Sequence, residues 1–154
     1  MHIAVLDDNI ADRKQIERLL DRESDRRIST TGNLYTDTFG AVEAFLAAPK
    51  QYDFFMIDMN GEVGQSVEIA HKIRALGIKV PICFFRSENE FAGIENMPAN
   101  VLFLEKPVKV ADLTAIIDEV IRLFSEHKDE YKCEEEETPE VKKNVFRRIF
   151  EYFY

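Results

Sequence analysis

The sequence predicts an α/β fold in which a five-stranded parallel sheet is covered by helices on both faces. Five short apolar runs of strand length alternate with segments whose apolar residues recur at helical spacing. Alternation of this kind implies right-handed crossovers between parallel strands. At 154 residues, 45% of them hydrophobic, the chain is long enough for one domain with a sizeable core and a tail.

The first third of the chain is predicted to form two strands and two helices. Residues 2–6 are an apolar run, and the helix after them repeats its apolar residues at 16, 19 and 20, with Asp12 capping or flanking its start. Residues 34–39 alternate along the chain as a strand does. Small residues over 40–48 favour a helix that ends at Pro49.

The most apolar strand is predicted at the centre of the sheet. Residues 54–57 (Phe-Phe-Met-Ile) are unbroken by any polar side chain, which is typical of a strand buried on both faces. Asp58 ends this run. A loop with two glycines follows, and then a helix over 66–76 with Gly77 as its C-cap.

Two more strands and two more helices complete the domain. Residues 80–85 and 101–104 are further apolar runs, and 110–124 is an amphipathic helix. Between the two strands, residues 88–96 are expected to form a short helix, although Gly93 and Pro98 disfavour it. The sequence therefore predicts a domain over residues 1–126.

The tail has two parts of different character. Residues 127–140 include four consecutive glutamates and are expected to be an acidic linker. Residues 141–154 are expected to be an amphipathic helix that combines apolar residues at helical spacing with four basic ones. The apolar residues are Val141, Val145, Phe146, Ile149, Phe150 and Phe153, and the basic ones are Lys142, Lys143, Arg147 and Arg148.

Three interpretations of this helix remain open. It could fold back on its own domain, bind a partner or a second copy in a homodimer, or contact an anionic membrane surface. The tail is too short for a helix-turn-helix or a similar DNA-binding unit, so direct DNA binding is not expected.

Charge and cysteine content narrow the class of protein further. A net charge of −9 argues against a nucleic-acid footprint over the whole protein and leaves open a local basic patch. Cys83 lies inside an apolar run, far from Cys133, so a disulfide framework is not expected. The chain begins directly with a strand-like run, and no apolar stretch approaches the ~20 residues that span a bilayer. We therefore expect a cytoplasmic protein without a signal peptide or a transmembrane helix.

Three of the predicted strands lead into charged residues. Asp7 and Asp8 follow the first strand, Asp58 ends the third and Lys106 follows the fifth. Because parallel strands present their carboxyl ends at one edge of the sheet, these side chains can converge. Clustered carboxylates favour a hard cation such as Mg²⁺, and a lysine can hold a phosphoryl oxygen. The combination suits phosphoryl transfer with Asp58 as the nucleophile.

These residues also carry a resemblance to a known family. The stretch 3–8 (IAVLDD), the apolar strand into Asp58 and the stretch 104–107 (LEKP) resemble the receiver domain of two-component response regulators. The resemblance covers about residues 1–126. It implies a flavodoxin-like sheet with the strand order 2-1-3-4-5.

The resemblance implies a role for each residue of the site. Asp58 looks like the phosphoacceptor, and Lys106 would bind the phosphoryl group. Asp8 looks like a direct Mg²⁺ ligand, while Asp7 would act through a metal-bound water. Asn60 would offer its backbone carbonyl to the metal.

The chain departs from the family pattern in two places. Receivers usually end the fourth strand with Thr or Ser, whose hydroxyl follows the phosphoryl group, but here Arg86 stands in that place and Ser87 comes just after it. The usual Met-Pro after the phosphoacceptor is replaced by Gly-Glu at 61–62. Either Ser87 takes the hydroxyl role through a small shift, or Arg86 bonds the phosphoryl group or Asp58 itself. Phe103 matches the switch aromatic of the family.

Three functions follow, of which one is preferred. It is a stand-alone signalling switch in which a sensor histidine kinase or a small phosphodonor phosphorylates Asp58 with Mg²⁺, and partner binding changes. Such a protein is not an enzyme beyond its own phosphorylation and dephosphorylation, and the sequence does not identify its output partner. The alternative is a pseudo-receiver, a protein-binding module fixed in one state. A metal-dependent phosphohydrolase is disfavoured because Asn60 stands where a typical aspartyl phosphatase carries its second carboxylate.

Overall fold

Five parallel strands form one sheet in the order β2-β1-β3-β4-β5, in a computed structural model that describes residues 1–131. The strands are β1 (His2–Asp7), β2 (Tyr35–Phe39), β3 (Phe54–Asp58), β4 (Ile82–Arg86) and β5 (Val101–Glu105). Every neighbouring pair is parallel. The structure therefore confirms the predicted fold class and strand order.

Residues 1–131 also form four α-helices and one short 3-10 helix. The helices are α1 (Ile10–Arg27), α2 (Val42–Phe45), α3 (Val63–Ala75) and α4 (Val110–Glu126), and the 3-10 helix is Pro49–Gln51. The side chain of Asn9 caps α1 by accepting a hydrogen bond from the backbone nitrogen of Asp12 at 3.0 Å. Asn9 is thus the capping residue, and Asp12 lies in the first turn of the helix.

The central strand, β3, lies in the middle of the hydrophobic core, as its sequence predicts. All five residues of β3 are buried, and Phe54, Phe55 and Ile57 have no exposed surface. The ring of Phe55 packs edge-on against Phe45 of α2, with 5.7 Å between centroids. Because both faces of β3 are covered, the strand fixes the position of its last residue, Asp58, at the carboxyl edge of the sheet.

The second predicted helix is shorter than expected. Residues 40–48 were expected to be helical, but only α2, at Val42–Phe45, is an α-helix. Ala41 is extended, with φ −126° and ψ 139°, and at the other end Leu46 leaves helical geometry. Ala48 precedes Pro49, and a proline ring disfavours the α region for the residue before it.

The helix expected over residues 88–96 is absent from the described chain. The segment between β4 and β5 is a series of turns, and three of its residues have left-handed backbone conformations: Asn89 (φ 65°), Phe91 (φ 68°) and Gly93 (φ 76°). A right-handed helix requires negative φ at every residue. The prediction was wrong, and the sheet is consequently covered without a helix at this position.

The described chain ends in a turn that packs against α4. Tyr131 donates its backbone N–H to the carbonyl of His127 at 3.2 Å, and its ring lies 4.9 Å from that of Phe124. Residues 127–131 belong to the predicted acidic linker. The remainder of that linker, 132–140, and the predicted helix at 141–154 lie outside the described residues.

Candidate functional site

Two aspartates end adjacent strands and face the same edge of the sheet. Asp7 is the last residue of β1, Asp58 is the last of β3, and the register pairs them directly. Their exposed fractions are only 3% and 4%. Two buried carboxylates at neighbouring strand ends form the floor of a crevice at the carboxyl edge, where open α/β sheets bind ligands.

Lys106 balances the charge of Asp58. Its Nζ lies 2.9 Å from one carboxylate oxygen of Asp58 and 3.2 Å from the other. Burial favours a lower pKa for Lys106, but the hydrogen bond to Asp58 and the charge of Asp58 together raise it above its usual value. The backbone N–H of Asn60 also donates to Asp58 at 2.9 Å. These contacts orient the Asp58 carboxylate and keep a positive charge beside it.

Asp7 is held by hydrogen bonds but remains costly to ionise. It accepts from the backbone N–H of Asn9 at 2.9 Å and from the side-chain amide of Asn60 at 2.9 Å. The pKa of Asp7 is raised to about 6, mainly because the carboxylate is buried. The charges of Asp58 and Asp12 contribute to this increase, and the two hydrogen bonds oppose it. A cation placed here would therefore relieve an existing electrostatic cost.

Asn60 bridges the two acidic residues after β1. Its side-chain amide donates to both Asp7 and Asp8. Its backbone is left-handed, with φ 46°, a conformation that asparagine tolerates better than most residues. The structure therefore brings Asp7, Asp8, Asp58 and Lys106 to one edge of the sheet, as the strand ends predict, and places the Asn60 side chain among them.

One further carboxylate, that of Asp12, joins this site although the sequence does not predict it there. Oxygens of Asp7, Asp12 and Asp58 lie within 4.8 Å of one another, while Asp8 is outside that group and exposed. Asp12 was interpreted only as a residue of the helix start. The clue in the sequence is its position in the first turn of a helix that begins at the strand edge, five residues after Asp7.

A cleft of about 130 Å³ opens beside these groups. Asp7, Asp12, Asp58 and Lys106 contribute to its lining, and Gln15 and Pro107 border it as well. Its walls therefore present carboxylate oxygens and one ammonium group to a small ligand. Hard divalent cations prefer carboxylate oxygens and keep waters for a phosphoryl ligand, so this donor set fits Mg²⁺.

Arg86 and Ser87 make different contacts from those considered in the sequence. Arg86 donates from Nε to Glu105 at 2.5 Å, and its guanidinium lies 4.3 Å from the centroid of the Phe103 ring. The backbone N–H of Ser87 donates to Glu90 at 3.0 Å. Arg86 thus pairs with Glu105, while Lys106 is the cation beside Asp58.

The raised pKa of Asp7 predicts a specific pH dependence for Asp7→Asn. The folded-state pKa, about 6, exceeds the unfolded value of about 4. Asp7 therefore favours folding at low pH, and this contribution is lost as the pH rises through 4 to 6. Without divalent cations, the free energy of unfolding of the variant minus that of the wild type should increase by on the order of 2 kcal/mol from about pH 4 to about pH 7.

Urea denaturation at several pH values measures this difference. Asp21→Asn is the matched control, because Asp21 is exposed on α1 and is not one of the clustered carboxylates of the site. A pH-independent difference for Asp7→Asn would contradict the proposed cost of ionising Asp7.

Comparison with known proteins gives structural matches only. No family model matches the chain, and no curated protein matches it. A receiver-domain protein from Clostridium thermocellum is similar with a TM-score of 0.64 at 19% identity, over 80% of this chain and 96% of that one. A CheY-like receiver domain from Methylobacillus flagellatus gives 0.56 at 19%, over 78% and 98%.

A receiver-domain protein from Bacillus halodurans gives a TM-score of 0.58 at 13% identity, over 78% of this chain and 96% of that one. At such identities the similarity establishes the fold, so the chain has the fold of response regulator receiver domains. Each helix formed by residues 1–131 is too short or too polar to span a lipid bilayer.

Proposed function

We propose that the chain is a signalling switch of a two-component system that accepts a phosphoryl group on Asp58. The donor would be a sensor histidine kinase or a small phosphodonor, and the place of action would be the cytoplasm. The observation that carries the proposal is the buried Asp58 carboxylate, paired with Lys106 at 2.9 Å and grouped with two further carboxylates. The receiver-domain fold around this site supports it.

The chemistry is a displacement at phosphorus. One oxygen of Asp58 attacks the phosphoryl group, a phosphorus–oxygen bond forms, and the bond from phosphorus to the donor breaks. The electron pair of that bond leaves with the donor, and Asp58 becomes an acyl phosphate. Lys106 lies within hydrogen-bond distance of both Asp58 oxygens, so it can follow the negative charge onto the phosphoryl oxygens.

The acidic residues around Asp58 would hold Mg²⁺. Asp7, Asp12 and Asp58 offer oxygens close to one another, and the resemblance adds Asp8 and the backbone carbonyl of Asn60. The ion would neutralise charge on the carboxylates and on the incoming phosphoryl group. Asn60 keeps Asp7 and Asp8 oriented through its side-chain amide.

The proposed output is a change in protein binding. The only reactions that we propose are the phosphorylation and dephosphorylation of the chain itself. The alternative, a binding module that ignores phosphorylation, was motivated partly by an Arg86 that could occupy the site. That motivation weakens, because Arg86 pairs with Glu105 and Lys106 pairs with Asp58.

Beryllofluoride binding tests this function. Beryllofluoride with Mg²⁺ imitates an acyl phosphate, so it should shift the amide NMR signals of Asp58, Asn60 and Lys106 in a saturable way. Removing Mg²⁺ with EDTA should reverse the shifts, and Asp21→Ala should behave like the wild type. Wild-type signals that do not respond would contradict the proposal and favour the phosphorylation-independent module.

A further inference from the structure

An apolar surface lies over β4 and β5, beside the connecting segment that forms turns instead of a helix. Five residues there are half-buried: Phe91, Ile94, Met97, Val101 and Phe103. All five pack partly against the core. We call these five residues the β4–β5 surface.

The backbone of the connecting turns explains why this surface remains partly open. Phe91 covers Phe84 and Phe103, with ring centroids 5.0 Å and 5.4 Å away. The left-handed conformations at Asn89 and Phe91 prevent the segment from continuing as a helix. A helix would have offered rows of side chains three and four residues apart. The turns instead supply Phe91, Ile94 and Met97, each only partly buried against the core.

Helix α3 fixes the position of the connecting segment. Arg74 donates from Nη2 to the carbonyl of Ala99 at 2.9 Å, and Nε2 of His71 lies 2.7 Å from the carbonyl of Asn96. These side chains tie the end of the segment to a helix that packs on the sheet. The β4–β5 surface is therefore a defined part of the fold.

The border of the β4–β5 surface is mainly acidic. Glu88, Glu95 and Glu105 are exposed, and Glu90 is half-buried. Arg86 lies on this border as well, and its charge is paired with Glu105. A segment that combines apolar and basic residues would therefore complement both the surface and its border.

The described chain ends close to this surface. The side-chain amide of Asn100 donates to the hydroxyl of Tyr131 at 3.0 Å, and Asn100 immediately precedes β5. Nine residues, 132–140, separate Tyr131 from Val141. Nine residues can span up to about 30 Å, and the five residues of β5 extend over only about 17 Å. The linker is therefore long enough for residue 141 to reach any point along β5.

The segment after the linker has the composition that the surface requires. Residues 141–154 contain six apolar residues at helical spacing, and four basic residues against one glutamate, Glu151. We propose that residues 141–154 dock on the β4–β5 surface of their own chain, with the basic residues facing the acidic border. A tail docked there would cover Phe103 and the Arg86–Glu105 pair, so a partner that uses this surface has to displace it.

Hydrogen exchange of the full chain tests this docking, in the absence of Mg²⁺ and phosphodonor so that the result does not depend on the proposed function. Phe146→Glu should remove an apolar anchor, and exchange in residues 88–105 should accelerate by at least about tenfold. Asn144→Glu adds the same charge at a polar position and should behave like the wild type. Exchange within α1 should remain unchanged in both variants.

The reciprocal variants change the surface instead of the tail. Ile94→Glu should accelerate exchange in residues 141–154, whereas Asn96→Glu, at an exposed position two residues later, should leave it unchanged. Agreement between the two pairs of variants would locate the contact on both sides.

Three results would overturn the proposal. Exchange in residues 88–105 that is the same in Phe146→Glu and in the wild type would show that the tail does not cover the surface. Protection that grows with protein concentration, together with a doubled mass in light scattering, would assign the surface to a second copy. Protection of the tail only with phosphatidylserine vesicles would assign it to a membrane.

Discussion

Replacing Asp58 with alanine should abolish phosphorylation completely. Asp58 supplies the attacking oxygen, and a methyl group cannot form the acyl phosphate. Asp58 is 4% exposed, and its carboxylate contacts Lys106. Because the neighbouring acids do not share this contact, we do not expect them to accept the phosphoryl group in its place. Intact mass spectrometry or a Phos-tag gel after incubation with acetyl phosphate and Mg²⁺ measures the label.

Two controls make this result interpretable. Asp21→Ala removes an exposed aspartate of α1 and should be labelled like the wild type. Asp58→Asn keeps the shape of the side chain, so it separates loss of the nucleophile from any disturbance of the fold, and it too should remain unlabelled. Equal labelling of Asp58→Ala and the wild type would refute the assignment of Asp58.

Replacing Lys106 with methionine should slow labelling by about 10²–10³-fold, the usual effect of removing one preorganised charged or hydrogen-bonding group from a transition state. The Nζ atom contacts both oxygens of Asp58, and no other cation pairs with Asp58 in the described chain. The variant therefore loses the charge that stabilises the transferring phosphoryl group. The initial rate of label incorporation from acetyl phosphate gives this effect directly.

Lys72→Met is the matched control for Lys106→Met. Lys72 is exposed on α3 and pairs with Glu68, so its removal should leave the labelling rate unchanged. Lys106→Arg retains a positive charge and should keep more of the rate than Lys106→Met. A Lys106→Met variant that is labelled as fast as the wild type would show that Lys106 neutralises Asp58 in the unphosphorylated protein but does not stabilise the transition state.

The sheet and the convergence of its charged ends could be predicted because both depend on local patterns. Residues 54–57 are continuously apolar, and the structure buries them fully. Once the strands are parallel, Asp7 and Asp58 must reach the same edge. The strand order itself came from the resemblance to receiver domains, since alternation of strands and helices does not determine it.

The connection between β4 and β5 could not be predicted from its local sequence. A short helix is the prediction for residues 88–96, although Gly93 and Pro98 disfavour it. In the structure the backbone of Phe91 is left-handed, and its ring packs on Phe84 and Phe103. Phe103 is twelve residues further along the chain, so a contact of this kind leaves no periodic pattern. Tertiary packing outweighed the helical preference of the segment.

The contacts of a site residue could be predicted from the sequence only where the residue lies at the carboxyl end of a strand. The pairing of Arg86 with Glu105 depends on the register of β4 and β5, which places the two residues side by side. That register is not visible in the sequence, so the contact of Arg86 with Asp58 remained an open alternative. Asp12 was missed because its carboxylate reaches the site from a helix, not from a strand.

Borohydride trapping is the most direct test of the central claim that Asp58 becomes an acyl phosphate. Borohydride reduces an aspartyl phosphate to homoserine, so the modified residue can be located by peptide mass spectrometry. After incubation of the wild-type chain with acetyl phosphate and Mg²⁺, we expect homoserine at position 58 and none when EDTA is present. Homoserine at position 7, 8 or 12, or none at position 58, would contradict the account.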